Sequence, residues 1–131
     1  MTIEEIERHI TPMIGRPYRP DFRCWDLVRH VSRVVFNRPL PEVPNDVEGR
    51  FQIARAFRSS PERARWRLTS SPQSGSIVLI GAAIRETHAG IYIGIDGGAV
   101  LHTEERTGVV LEPIAELTMR AHTVNCYEPI D

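Results

Sequence analysis

Apolar positions recur at helical spacing through the first half of the chain and alternate through the second. Ile3, Ile6, Ile10 and Met13 lie three or four apart and predict an amphipathic helix, which Thr2 and Glu5 start as a capping box and Gly15 and Pro17 stop. Residues 15–21 hold two prolines and a glycine, so they predict an extended loop that ends where Asp21 caps a second helix. Leu27, Val28, Val31, Val34 and Val35 give that helix its period, and it begins at or just before Cys24 and ends near Asn37 and Pro39. A connector over residues 39–44 leads to a third helical stretch from Asp46, with Phe51, Ala54 and Phe57 inward. Ser60, Pro61 and Glu62 then predict the start of a short further helix carrying Trp66 and Leu68.

After a polar loop at residues 69–75 the period changes. Residues 76–80, 88–95, 99–103, 109–111 and 122–127 are rich in β-branched and aromatic side chains and predict strands. In the second of these, Ala89, Ile91, Ile93 and Ile95 share one face and His88, Gly90, Tyr92 and Gly94 the other. Asp96-Gly97-Gly98 separates two strands and signals a hairpin. N-terminal helices followed by a C-terminal antiparallel sheet make an α+β fold. A length of 131 residues fits a single domain over residues 1–131.

Composition narrows the function classes. Hydrophobic residues at 41%, charged residues at 25% and a net charge of -1 are ordinary for a folded soluble chain. There is no apolar run of the roughly 20 residues a bilayer span needs and no basic-then-apolar start, so the expectation is a chain made in the cytoplasm without membrane insertion. All 16 basic residues are arginine, and Arg50, Arg55, Arg58, Arg63, Arg65 and Arg67 cluster against only Glu48 and Glu62. Without interleaved stacking aromatics or a strongly basic total, that cluster is expected to be a solvated face and not a nucleic-acid surface. Cys24 and Cys126 are expected to be free thiols.

Cys24 falls in the first turn of a helix, where unpaired backbone N–H groups and the positive end of the helix dipole favour a thiolate, with Arg23 adding charge. His88 opens a strand whose alternate glycines leave room beside it. A hairpin centred on Asp96 sets His102 opposite Gly90 and diagonal to His88 on one face, which requires an odd loop; a two-residue Gly97-Gly98 turn puts His102 on the other face. A cysteine, a histidine to take its proton and a polar group to fix the ring compose a thiol hydrolase. The same residue types compose a Cys/His/His zinc site, for which Cys126 and His122 are the remaining soft donors, so residue types leave both open.

Several blocks together resemble a known family. Gly15-Arg16-Pro17-Tyr18, Cys24-Trp25-Asp26-Leu27-Val28-Arg29, Leu40-Pro41, Gly75-Ser76-Ile77-Val78-Leu79, His88-Ala89-Gly90-Ile91-Tyr92-Ile93-Gly94 and Val100-Leu101-His102 resemble the NlpC/P60 cysteine peptidases, especially versions encoded by tailed phages and prophages. The resemblance implies a papain-like fold and an endopeptidase acting on bacterial cell-wall stem peptides. It assigns Cys24 as nucleophile, His88 as base, His102 as the residue orienting that base, and Tyr18 to the cleft beside the oxyanion, with no metal and no cofactor. It also implies other phage tail-tip proteins as partners and a place in the virion tail, with a structural tail-tip or tail-assembly member of little activity as the alternative. Family members usually carry Asp before the cysteine and Gly two residues after it, whereas this chain has Arg23 and Asp26.

Overall fold

The computed structural model describes residues 1–41, 61–82, 85–121 and 123–130. The helical stretch expected from Asp46, with Phe51, Ala54 and Phe57, lies outside the described residues, as do His122, Arg50, Arg55 and Arg58. No helix among the described residues is long and apolar enough to cross a membrane.

Helix α1 (Ile3–Ile10) starts where Thr2 Oγ1 accepts the Glu5 N–H at 3.2 Å, and it buries Ile6 and Ile10. A 3₁₀ turn, Thr11–Met13, adds Met13 to the core. Helix α2 (Cys24–Phe36) buries Cys24, Trp25, Leu27, Val28, Val31 and Val35, while Val34 is exposed. Its N-cap is Arg23, not the expected Asp21. The acceptor lies inside the first turn: Asp26 Oδ2 reaches back to the Arg23 N–H at 2.9 Å, and Asp21 instead pairs with Arg19 on the surface at 3.3 Å. Asn37 ends α2 in the left-handed conformation, φ 53°.

The expected helix through Trp66 and Leu68 is a correction. Only Pro61–Arg65 turns, as 3₁₀, and Trp66–Thr69 is strand β1, paired antiparallel with a strand at the C-terminal end. So short a segment gains little as a helix, whereas a neighbouring strand satisfies its backbone at once. The Trp66 indole is buried and donates to Glu62 Oε1 at 2.9 Å. Arg63 donates to the Trp66 carbonyl at 2.7 Å and lies over the Tyr127 ring, and Arg67 pairs with Glu128 at 2.8 Å.

The other strands are β2 (Ile77–Ala82), β3 (Arg85–Ile93), β4 (Ala99–Glu104), β5 (Gly108–Pro113) and β6 (Thr123–Pro129). With β1 they form a six-stranded antiparallel sheet in the order β1-β6-β2-β3-β4-β5. One face carries Ile77, Leu79, Ala89, Ile91, Ile93 and Leu101 against α1 and α2. The opposite face carries Val78, Ile80 and Val100 under Leu117 of helix α3 (Ile114–Arg120), which the sequence pattern did not announce. The N-terminal helices thus pack on an antiparallel sheet as expected, with α3 closing its second face. Cys24 and Cys126 are buried with free thiols in the two separate clusters.

Candidate active site

The hairpin between β3 and β4 decides which residues meet. Its loop is residues 94–98, an odd count, with Asp96, Gly97 and Gly98 at positive φ. The strands pair Ile93 with Ala99, Tyr92 with Val100 and Ile91 with Leu101, a register centred on Asp96. His102 therefore shares a face with His88. His88 Nε2 lies 2.9 Å from His102 Nδ1, with the rings edge to face at 5.0 Å between centroids.

Gly90 sits between the two imidazoles and leaves their space open. A Cβ on Gly90 meets Val100 Cγ1 at 2.5 Å, the Leu101 carbonyl at 3.0 Å and His102 Cβ at 3.2 Å. The first is a short, branched side chain and the second is backbone, so neither yields easily. Gly90→Ala is expected to cost about 1–3 kcal/mol by overpacking and to displace His102. Chemical denaturation together with the His88–His102 contact in a structure of the variant checks it, and an unchanged midpoint and contact contradict it.

Cys24 approaches from the other side of the sheet. The Tyr92 N–H bonds to the Ser76 carbonyl at 2.8 Å, and bonded pairs alternate along an antiparallel ladder. Gly90 and His88, opposite Val78 and Ile80, consequently direct their amides at β2, and the intervening Ala89 directs its amide toward β4. That amide is one of the backbone N–H groups that favour the Cys24 thiolate. Among the described residues, the hydrogen bonds and ligand-atom cluster join His88 to His102 and Glu104 and do not include Cys24, which packs on the opposite, Ala89 face of the sheet.

Burial pushes the Cys24 thiol up to about 11, outweighing the Ala89 and Trp25 N–H groups, while the Asp26 charge also raises it. The thiolate expected from the helix end alone is therefore not the resting form. Burial, and next the repulsion that His102 exerts when it is protonated, lower His88 to about 4 against the opposing pull of Glu104 and Glu112. The resting pair is a neutral thiol and a neutral imidazole.

His102 is fully buried and reaches beyond His88. Its Nε2 lies 2.9 Å from Glu112 Oε1, and Arg120 of α3 holds the same carboxylate through Nε at 2.8 Å and Nη2 at 2.7 Å. Arg120 Nη2 also binds Glu104 Oε1 at 2.9 Å. Sequence reasoning missed Glu104, Glu112 and Arg120. Alternation along 110–112 carried a usable signal for Glu112, because Val110 faces His102 across β4 and β5 and Glu112 is two residues on.

The site geometry sets an expected pH dependence of stability. His88 is lowered from 6.5 to about 4, so its contribution is present above pH 6.5 and lost as pH falls toward 4. Glu112, lowered to about 2 mainly by its Arg120 hydrogen bond, acts in the same direction at lower pH. Cys24 is raised from 9 to about 11, so its contribution is lost as pH climbs through that range. Tm by calorimetry is expected to be highest between about pH 6.5 and 9; a maximum below pH 5 contradicts this.

His88, His102 and Glu104 bring potential ligand atoms within 4.8 Å of one another, a set that differs from the zinc alternative of Cys24, His88 and His102. The facing nitrogens of the two histidines are engaged with each other at 2.9 Å, and Arg120 already neutralises Glu104. Tyr18 is half-buried in the loop ahead of α2, which is tied to β5 by the Gly15 N–H to Val109 carbonyl bond at 2.8 Å and the Val109 N–H to Arg16 carbonyl bond at 2.9 Å.

A family model described as NlpC/P60 family matches residues 14–128, spanning Tyr18, Cys24, both histidines and Arg120. The chain belongs to the NlpC/P60 family. The crystal structure of Ly7917 is similar at 18% identity and a TM-score of 0.53, covering 98% of this chain and 63% of that one. At that identity the likeness shows a shared fold, and the chain spans less than two thirds of that structure's length. No curated protein sequence matches the chain. Within the NlpC/P60 pattern, Arg23 and Asp26 form one local arrangement. The Asp26 carboxylate, inside the first turn, accepts the Arg23 amide at 2.9 Å.

Proposed function

We propose that this NlpC/P60 chain is a thiol hydrolase, an endopeptidase cutting the stem peptides of bacterial peptidoglycan. Cys24 is the nucleophile, His88 the general base, and His102 the residue that positions the base. The observation that carries this is the 2.9 Å contact of His88 with His102, on a strand whose next amide, that of Ala89, favours the Cys24 thiolate. Because the resting pair is neutral, Cys24 gives its proton to His88 as sulfur attacks the scissile carbonyl. Collapse of the tetrahedral intermediate expels the amine with that proton and leaves a thioester. Water, deprotonated by His88, then cleaves the thioester. The Cys24 N–H at the start of α2 stabilises the oxyanion, with Tyr18 lining the cleft.

The cellular context proposed is a phage or prophage tail tip, where the chain is a virion component alongside other tail-tip proteins. Support for that context comes from the sequence blocks resembling phage-encoded members. Co-sedimentation of the chain with assembled tails tests the context, and its absence from purified particles contradicts it.

A second function is favoured by one observation: Cys24 is only 7% exposed, and its thiol is held at about 11. A tail protein retaining the fold as a docking surface needs neither an open nor a reactive sulfur. Incubation with purified peptidoglycan separates the two. A hydrolase releases new amino termini from the stem peptides, and a docking protein releases none at any enzyme concentration.

A further inference from the structure

We infer that Glu112, gripped by Arg120 of α3, is a positioning residue that sets the proton arrangement of both histidines and so leaves Nδ1 of His88 as the base. This rests on the hydrolase function proposed above, since it names a further residue for the same site.

A carboxylate only accepts hydrogen bonds, so the nitrogen of His102 facing Glu112 at 2.9 Å, Nε2, carries a proton. In the uncharged His102 ring, Nδ1 is then the acceptor; a His102 carrying both protons would donate from Nδ1 instead. Its partner at 2.9 Å, His88 Nε2, must donate, which leaves the lone pair of His88 on Nδ1. Each bond fixes the direction of the next.

Glu104 makes this arrangement a choice between two. Its Oε1 lies 3.4 Å from His102 Nδ1 and 3.8 Å from His88 Nε2, long for hydrogen bonds. Were Glu104 the acceptor for His102, the proton would sit on Nδ1, the bond to His88 would reverse, and His88 would carry its proton on Nδ1. Arg120 biases the outcome against this. It places the Glu112 carboxylate with two bonds, at 2.8 and 2.7 Å, and gives Glu104 Oε1 a donor at 2.9 Å, closer than the ring nitrogen at 3.4 Å. Arg120 also holds Glu112 ionised, down at about 2. Helix α3, remote from Cys24 in sequence, thereby acts on the base through two intermediates.

The test is ¹⁵N NMR of the histidine rings of the intact protein, which reads tautomers directly and needs no substrate. Wild type is expected to show His88 and His102 both protonated on Nε2. Glu112→Ala is expected to move the His102 proton to Nδ1, facing Glu104. Glu112→Gln is expected to retain the wild-type pattern, because the Arg120 Nη2 and the His102 Nε2–H both hold the amide oxygen at the Oε1 position. With peptidoglycan as substrate, Glu112→Ala is expected to lower kcat roughly tenfold to a hundredfold, the range for losing a group that orients a functional histidine, with KM changed less than about threefold. Identical tautomers in wild type and Glu112→Ala, or a wild-type His102 protonated on Nδ1, overturn the inference. If wild type cleaves no peptidoglycan, the hydrolase function falls, and the tautomers still decide the role of Glu112.

Discussion

Cys24→Ala is expected to abolish release of new amino termini from peptidoglycan, lowering kcat by at least about 10⁴-fold, as loss of a covalent nucleophile does elsewhere. The side chain is small and sits at the end of α2, so the variant is expected to remain folded, with a loss on the order of 1 kcal/mol for the missing sulfur contacts. Cys126 lies on β6, two strands away from β3, in the cluster beneath α3. A chromogenic or mass-spectrometric assay of peptidoglycan fragments measures the first effect and thermal denaturation the second. Retained cleavage in a folded Cys24→Ala variant removes the proposed mechanism.

The next largest effect is expected at His88. Its ring is the proposed acceptor of the thiol proton, and general-base contributions run to about 10²–10⁴-fold in rate. His88→Ala is expected to lose turnover in that range, and also to slow alkylation of Cys24 by iodoacetamide near neutral pH, because the proposed acceptor of the thiol proton is then gone. Since the thiol rests at about 11, alkylation in wild type is expected to rise steadily with pH and not to plateau between pH 5 and 8. A plateau there means that a thiolate–imidazolium pair already exists before substrate binds. Unchanged turnover in His88→Ala means that proton transfer runs elsewhere.

Much of this site was legible in the chain. Cys24 was placed at a helix start by the apolar period behind it, and the odd hairpin loop about Asp96 was the stated condition for joining His88 to His102. The isoleucine face of β3 was legible because strict alternation maps directly onto a sheet buried on that side. What escaped detection depends on contacts between distant segments. Helix α3 is only 7 residues long, carries no side-chain cap and buries Leu117 alone, so it lacks a periodic pattern and is held by packing on Val78, Ile80 and Val100. Arg120 could not be assigned to the histidines without that helix. Trp66 looked helical beside Pro61 and Glu62, but pairing with β6 decided its conformation. The cap of α2 was misplaced by a few residues, because Asp26 satisfies the Arg23 amide from within the helix and a carboxylate before the helix is not needed. The raised Cys24 thiol was hidden for the same reason: a helix start announces N–H donors, whereas the depth of burial is set by the sheet below.

The most direct test of the central claim is to trap the acyl intermediate. The protein is mixed with purified stem peptide, quenched in acid within milliseconds to seconds, digested, and its cysteine peptides are weighed by mass spectrometry. The account predicts an added acyl mass on the peptide containing Cys24, absent from Cys24→Ala and removed by hydroxylamine, with no addition at Cys126. Cleavage of the stem peptide with no adduct at Cys24 at any quench time, or an adduct confined to Cys126, contradicts it.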